Sequence, residues 1–199
     1  MHDAWASTSP TGSWAVPGAA ERMRVVAGAY GGRRLVAPDG SATRPTSDRV
    51  REALFSVLGA SVQGARVLDL FAGSGALGIE ALSRGAASAV FVDRAPRAIA
   101  AVRANLAALA IDADVRRIEA RAWLRTASTR SEAYDLVFLD PPYRRAAELG
   151  RDLSEGLAAV LAPGARVVSE SDRRDPLELD LPLADERRYG DTVIRIHDT

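Results

Sequence analysis

A glycine-rich stretch after an apolar run is the first place in this chain where chemistry is expected. Gly73, Gly75 and Gly78 have the G-x-G-x-x-G spacing, which permits a tight turn, close approach of a ligand to the backbone and close helix packing. Asp69 comes just before this turn. A carboxylate there would repel the pyrophosphate of a dinucleotide, whereas it would attract the sulfonium and ammonium groups of S-adenosylmethionine. The pattern favours S-adenosylmethionine, and a strand-to-helix turn without any ligand is the plain alternative.

The second candidate is the tetrapeptide Asp140-Pro141-Pro142-Tyr143, which follows another apolar run. Two consecutive prolines fix the backbone and remove two donors, so this corner offers acceptors: the Asp140 carboxylate and the Pro141 carbonyl. Such a pair suits the two N–H groups of an exocyclic amine, and the Tyr143 ring gives a base a surface for stacking. Accepting both N–H bonds favours attack of the amine nitrogen on a methyl group. A rigid turn at the end of a strand is the alternative.

Alternating strands and helices would bring the two motifs together. Helical periodicity begins after a cap at Thr46 or Ser47 and ends at Gly59, and a second helix follows the glycine turn. Apolar runs predict strands at 67–70, 89–93, 115–119, 134–139 and 165–169, with further helices at 96–109 and 145–161. A turn is predicted at 163–164, and a terminal hairpin at 185–189 and 192–197. The alternation predicts a parallel α/β sheet, which would place both motifs at the carboxyl ends of its strands.

Asp93 ends the second predicted strand. It lies 20 positions beyond Gly73, where a sheet of this kind carries an acid that binds ribose hydroxyls. The sequence therefore predicts that Asp93 contacts the ribose of the cofactor.

The amino-terminal part of the chain divides into a tail and a basic segment. Residues 1–21 lack periodicity and predict a flexible tail. Residues 22–44 carry five arginines against one aspartate, within a predicted hairpin at 24–28 and 33–37. This charge suits a nucleic-acid contact, although a solvated hairpin is an equally good reading from charge alone. We expect an RNA-docking hairpin and helix at 22–58, followed by a catalytic domain at 59–199.

Composition excludes several classes of protein. The chain has 199 residues and no cysteine, which excludes disulfide frameworks, Cys-based zinc sites and thiol nucleophiles. We expect no metal. No apolar run is long enough to cross a bilayer, and residues 1–5 lack the start of a secretion signal. The composition predicts a soluble cytoplasmic protein, which we expect to be a monomer.

In these two motifs, the chain resembles amino methyltransferases of the D/N-P-P-Y type. It resembles more closely the RsmD family of 16S ribosomal RNA guanine-N2 methyltransferases. The resemblance runs from Arg24 to Ile196. It includes 24–28, the arginine-proline-threonine stretch 44–55, the glycine turn 69–78, and 139–143. The stretch 44–55 is the family-specific part.

The resemblance implies a fold, a cofactor and a substrate. The fold would be a Rossmann-like seven-stranded sheet with an antiparallel last strand. S-adenosylmethionine would contact Asp69, Phe71, Gly73, Gly75, Asp93, Glu119 and Ala120, while Asp140, Pro141, Pro142 and Tyr143 would hold the base. The substrate would be guanine 966 of 16S ribosomal RNA in the small ribosomal subunit or an assembly intermediate. Arg24, Arg33, Arg34, Arg44 and Arg49 would contact the RNA.

Three other functions stay open at this point. A DNA methyltransferase acting on adenine or cytosine could use the same tetrapeptide, although the chain has little room for a domain that reads DNA sequence. Asp69 argues against a nicotinamide oxidoreductase, and a non-catalytic RNA-binding module is the third alternative. If the basic segment serves RNA alone, removal of residues 1–44 would abolish RNA methylation and leave cofactor affinity nearly unchanged.

Overall fold

A computed structural model of the chain describes residues 23–38, 47–141 and 146–199, with side chains from residue 148 in the last range. The helices are α1 (Asp48–Leu58), α2 (Ala76–Ser83), α3 (Pro96–Leu109), α4 (Ala120–Thr129) and α5 (Ala146–Ala158). A 3₁₀ turn, Gly59–Val62, links α1 to the first strand. The strands are β1 (Arg66–Leu70), β2 (Ser88–Asp93), β3 (Asp114–Arg117), β4 (Tyr134–Leu139), β5 (Leu161–Asp172), β6 (Leu183–Tyr189) and β7 (Thr192–Asp198).

The seven strands form one sheet in the order β3-β2-β1-β4-β5-β7-β6. β1 to β5 are parallel, and β7 is antiparallel to both of its neighbours, β5 and β6. The central strands β1 and β4 are buried along nearly their whole length, as their continuous apolar sequences require. The predicted seven-stranded α/β sheet with an antiparallel last strand is therefore confirmed.

Apolar side chains form one core cluster on each face of the sheet. The first cluster holds side chains from α1, α2, α3 and the amino-terminal segment, including Met23, Val25 and Leu35. The second holds side chains from α4, α5 and the chain around Leu177. Because Met23, Val25 and Leu35 share a cluster with β1 and β4, the segment 23–38 is part of the core.

Local signals account for the ends of α1. The Ser47 hydroxyl accepts a hydrogen bond from the Val50 N–H (3.3 Å) and caps the helix, as predicted. Gly59, with a φ of 50°, follows the last residue of the helix.

Several predicted boundaries are wrong. Within 23–38 one antiparallel bridge, between Arg24 and Arg34, forms in place of two regular strands, because the N–H groups of Val26 and Ala27 donate to Glu80 on α2. β3 ends at Arg117, and α5 ends at Ala158. The turn predicted at 163–164 is instead an irregularity inside β5, where the register with β4 shifts. No helix in the described part of the chain has the length and apolarity needed to cross a membrane.

Candidate active site

The carboxyl end of β1 presents a buried carboxylate. Asp69 is 3% exposed, and its Oδ2 accepts a hydrogen bond from the Gly78 N–H in the first turn of α2 (3.0 Å). Loss of water raises the pKa of Asp69 to about 7, the Gly78 hydrogen bond opposes this rise, and the charge of Asp93 adds to it. The carboxyl group is poised to ionise near neutral pH when a cation approaches.

The turn after β1 has the geometry that its glycines predict. Gly73 and Gly75 have φ of 54° and 79°, a region that side chains rarely adopt. A Cβ on Gly78 would lie 2.4 Å from the Phe91 ring, so only glycine lets α2 approach the sheet this closely. Phe71, between strand and turn, has a φ of 115°, which is strained for a non-glycine residue. Strain of this kind is typical of a binding loop.

Asp93 lies at the end of the neighbouring strand β2 and faces the same turn. Its Oδ2 accepts from the Gly73 N–H (3.0 Å) and its Oδ1 from the Ala95 N–H (2.8 Å). Glu119 occupies the N-cap position of α4, after the next strand, and its exposed side chain pairs with Arg94 (3.3 Å). Ala120 is buried. The acidic side chains predicted for the cofactor thus follow β1, β2 and β3 along one edge of the sheet.

Asp140 follows β4, the other neighbour of β1. Asp69 pairs with Phe138 in the register, so Asp140 lies two residues further along the adjacent strand. Phe138 and Val67 both pack in the first core cluster, and alternation therefore puts Asp69 and Asp140 on that same face. Pro141 is buried beside it. The two acids that the sequence singles out meet at one edge and on one face of the sheet.

Glu170 is a further acid at this edge, next to Asp140, and the sequence analysis missed it. It is 5% exposed on β5, next to β4, and the register Leu139–Ser169 puts it beside Asp140. Burial raises the pKa of Asp140 well above its ordinary value, and the charges of Glu170 and Asp69 raise it further. In the described part of the chain, no three carboxylate or histidine side chains are grouped as metal ligands.

Arg51 is a buried cation on the same face, and the sequence analysis missed it too. It is 1% exposed, and its Nη2 donates to the Arg24 carbonyl and to Asp48 Oδ1 (2.7 Å). Burial lowers the pKa of Arg51, while the negative charges of Asp48, Glu80 and Glu170 act to raise it. Arg51 lies one helical turn before Leu54 and Phe55, on the buried side of α1. A charged residue at this helical spacing from apolar residues is the sequence signal that could have identified it.

The arginines predicted to contact RNA lie on or near the amino-terminal segment. Arg24 is exposed and pairs with Asp48 (2.8 Å), and the bridge to Arg34 brings two positive charges together. Arg33, Arg34 and Arg49 are exposed. Arg44, like Pro142, Tyr143, the cap alternative Thr46 and the tail 1–21, lies outside the described residues.

The segment 23–38 is anchored on α2. The N–H groups of Val26 and Ala27 donate to the two carboxylate oxygens of buried Glu80 (2.7 and 3.0 Å). The Ala29 N–H donates to the Ser83 carbonyl at the end of α2 (2.8 Å). A Cβ on Gly28 would lie 1.9 Å from that carbonyl oxygen, so glycine is required for this contact.

The buried side chain of Asn105 joins this segment to the glycine turn. Asn105, on α3, is 2% exposed. Its Oδ1 accepts from the Val36 N–H (2.8 Å), and its Nδ2 donates to the carbonyls of Val36 (3.0 Å) and Ser74 (2.9 Å). The expectation that removal of residues 1–44 would leave cofactor affinity nearly unchanged therefore conflicts with this packing.

Similarity to known proteins agrees with this arrangement. A family model described as "Conserved hypothetical protein 95" matches residues 23–198. The chain belongs to this family, the RsmD family. The Bacillus subtilis protein YlbH is 40% identical over 185 residues, which cover 88% of this chain and 98% of that relative. The Escherichia coli protein named ribosomal RNA small subunit methyltransferase D is 43% identical over 125 residues, 62% of each chain.

Solved structures share the fold of this RsmD-family chain. A protein from Thermus thermophilus superposes with a TM-score of 0.77 at 31% identity, covering 89% of this chain and 99% of that chain. More distant structures with the same fold include S-adenosylmethionine-dependent methyltransferases. The roles of individual residues in holding cofactor and base stay predictions.

Proposed function

We propose that this protein transfers a methyl group from S-adenosylmethionine to the exocyclic N2 amine of a guanine in 16S ribosomal RNA, of the guanine 966 type, within the small ribosomal subunit. Membership of the RsmD family and the names of its relatives support the reaction and the substrate. The observation that carries the proposal is the convergence of Asp69 and Asp140 on adjacent strands, on one face and at one edge of the sheet.

The first part of this site fits a cationic methyl donor. S-adenosylmethionine supplies an electrophilic methyl group on a positively charged sulfur. Asp69 is a buried carboxyl whose pKa of about 7 would fall when a positive charge comes near, because the ion pair favours the ionised form. The backbone at Gly73, where a Cβ would have no neighbour nearer than 3.9 Å, lets a ligand approach closely, and Asp93 lies where ribose hydroxyls would be bound.

The second part of the site fits an amine. Asp140 and the Pro141 carbonyl would each accept one N–H of the guanine amine, which turns the nitrogen lone pair toward the methyl carbon. As the N–C bond forms and the C–S bond breaks, positive charge develops on nitrogen, and ionised Asp140 stabilises it. The product amine then gives up one proton, to Asp140 or to water. Pro142 and Tyr143 would hold the plane of the base.

The substrate must bring its amine out of a base stack. A guanine amine within a duplex is hidden, so the target has to lie in a loop or be extruded. The exposed arginines Arg24, Arg33, Arg34 and Arg49, together with Arg44, would contact phosphates around it. Duplex RNA is therefore expected to be a poor substrate.

The test is methyl transfer to small ribosomal subunits isolated from bacteria that lack this modification. Labelled S-adenosylmethionine and the full-length chain are incubated with the subunits, and the RNA is digested for nucleoside analysis and for mapping of the modified position. We expect N2-methylguanine at guanine 966. Asp140→Ala should lower kcat by about 100-fold or more, whereas Asp140→Asn, which keeps an acceptor oxygen, should retain more activity.

Two results would contradict the proposal. One is transfer to adenine or cytosine in DNA with none to the subunits. The other is full activity of Asp140→Ala, which would remove the amine acceptor from the mechanism.

A further inference from the structure

A basic cleft lies at the carboxyl edge of the sheet, beside β6 and β7. It has a volume of about 320 Å³ and is lined by four arginines, Arg173, Arg174, Arg188 and Arg195, together with Glu186, Pro176 and Val193. Its lining therefore carries an excess of three positive charges. Such a concentration of guanidinium groups suits an anion with several acceptor oxygens.

Glu186 holds two of these arginines in place. Its Oε2 accepts from Arg195 Nε (2.9 Å), and its Oε1 accepts from Nε and Nη2 of Arg188 (3.1 and 2.8 Å). Arg195 also donates to the Leu177 carbonyl (3.4 Å), and its side chain is 21% exposed. A guanidinium has five N–H donors, and within the described part of the chain these contacts use two in each arginine. The remaining donors of both groups are available to a ligand in the cleft.

Arg173 and Arg174 form the more exposed side of the cleft. Their distances to Asp191 are 3.6 and 3.9 Å, and the side chains of all three residues are more than half exposed. Exposed pairs at such distances contribute little to stability, so a phosphate can displace Asp191 at small cost.

The sheet topology relates this cleft to the active site. Asp172 ends β5 opposite Thr192, and the Arg173 N–H donates to the Asp191 carbonyl (2.9 Å), so the cleft opens at the carboxyl edge, where Asp69 and Asp140 also lie. Val193 and Arg195 alternate with Ile194, which packs in the first core cluster. The cleft is therefore on the opposite face of the sheet. β7 is two strands from β4, a lateral separation of about 10 Å.

We propose that this cleft binds phosphates of the substrate RNA as the strand crosses the sheet edge, beside the nucleotide held at Asp140. The inference rests on the proposed function for its RNA substrate, and it adds a second anchoring surface, separate from the amino-terminal segment. Phosphate contacts fix the register of a strand and carry no base specificity. The cleft would thus position the RNA while the site near Asp140 selects the base.

The experiment compares charge reversal in the cleft with a matched reversal elsewhere. Arg173→Glu/Arg174→Glu is set against Arg103→Glu/Arg125→Glu, in which both arginines are exposed on α3 and α4. Affinity is measured for small ribosomal subunits and for a protein-free fragment of 16S RNA at several salt concentrations, with S-adenosylhomocysteine affinity and methyl transfer measured alongside.

The cleft variant should bind both RNA probes about tenfold more weakly. The slope of log affinity against log salt should fall by about 0.7 for each lost contact to a single strand. S-adenosylhomocysteine affinity and kcat at saturating substrate should stay within about twofold of wild type, and the matched control should bind RNA normally.

Other outcomes separate the possible errors. Unchanged RNA affinity and salt slope, or an equal loss in the matched control, would overturn the phosphate site. Weaker binding to subunits with normal binding to protein-free RNA would overturn it in favour of an acidic protein partner. A wild-type chain that binds RNA through the cleft yet transfers no methyl group would contradict the proposed function alone.

Discussion

At the scale of single residues, Asp69 combines a cost in stability with a functional property. A carboxyl group whose pKa is raised from 3.8 to about 7 keeps its proton in the folded protein at pH values where the unfolded chain has lost it. The unfolded state therefore gains stability relative to the folded state as pH rises between about 4 and 7. Under the proposed function, the same carboxyl group ionises when the positive charge of the cofactor approaches it.

Asp69→Asn should remove this pH dependence and weaken the cofactor site. Asn keeps an acceptor for the Gly78 N–H, so the fold is retained. Relative to wild type, the free energy of unfolding of the variant should increase by up to about 1.4 kcal/mol for each pH unit between 4 and 7, as measured by denaturant titration without cofactor. At pH 8 its affinity for S-adenosylmethionine should be at least about tenfold lower. A difference in stability that does not change with pH would contradict the raised pKa.

Glu170 should set the pH range over which Asp140 works. Its charge helps to raise the pKa of Asp140. In the proposed mechanism, the ionised form of Asp140 accepts an N–H of the amine. In Glu170→Gln the pKa of Asp140 should fall, so the acid limb of kcat/KM should move to lower pH, measured at saturating S-adenosylmethionine. Glu155→Gln, an exposed change on α5, is the control and should leave the profile unchanged. An acid limb that stays in place, or moves to higher pH, would exclude this role of Glu170.

The site could be predicted from sequence only where a residue belongs to a local pattern. Asp69 and Asp140 each stand next to a turn with its own spacing, and parallel strands bring such turns to one edge. Glu170 follows the apolar residues Val167 and Val168 with no turn beside it. Its closeness to Asp140 depends on the pairing of β4 with β5, which no local pattern specifies.

At the scale of elements, the alternation of apolar strands with helices along the chain is sufficient to predict the sheet. The conformation of the short segment 23–38 cannot be predicted in this way. Its residues 24–28 and 33–37 have strand-like composition, yet one bridge forms, because hydrogen bonds to Glu80 and Ser83 hold the backbone on α2. Tertiary contacts with α2 decide its conformation. Strand propensity reflects how well a side chain packs on a pleated sheet, and this segment packs on the helix α2 instead.

Gly28 should be essential to this docking, and Gly32 gives a matched control. The two glycines have φ of 83° and 81°, so alanine at either position costs about 1–2 kcal/mol for its left-handed backbone. A Cβ on Gly28 meets the Ser83 carbonyl, whereas one on Gly32 has no described atom within 4 Å. We expect Gly28→Ala to lower the free energy of unfolding by at least about 2 kcal/mol more than Gly32→Ala, from thermal or denaturant unfolding. Equal losses would mean that backbone conformation alone accounts for both.

At the scale of the whole molecule, the segment 23–38 and the glycine turn after β1 are parts of one packed unit. α2 contacts Asp69 through its first turn and the segment 23–38 through Glu80 and its last turn, while Asn105 on α3 bonds both Val36 and Ser74. If RNA binding displaces this segment, these hydrogen bonds connect the displacement to the glycine turn, where the proposed cofactor site lies. This is why separate RNA and cofactor functions, expected from the sequence, are better tested by point variants than by deletion.

Asn105→Ala should weaken cofactor and RNA binding together. The change removes the donor of the part-buried Val36 and Ser74 carbonyls and the acceptor of the Val36 N–H. Each lost hydrogen bond costs about 0.5–1.5 kcal/mol, and part of this loss should appear as disorder of the glycine turn. Ser154→Ala is the control, since Ser154 is also buried and joins α5 to the Asp180 N–H (3.0 Å) on the other face. Calorimetry with S-adenosylhomocysteine and binding to small subunits should both show at least about a fivefold loss for Asn105→Ala and little change for Ser154→Ala. A loss of RNA affinity alone would mean that the amino-terminal segment and the cofactor turn respond independently.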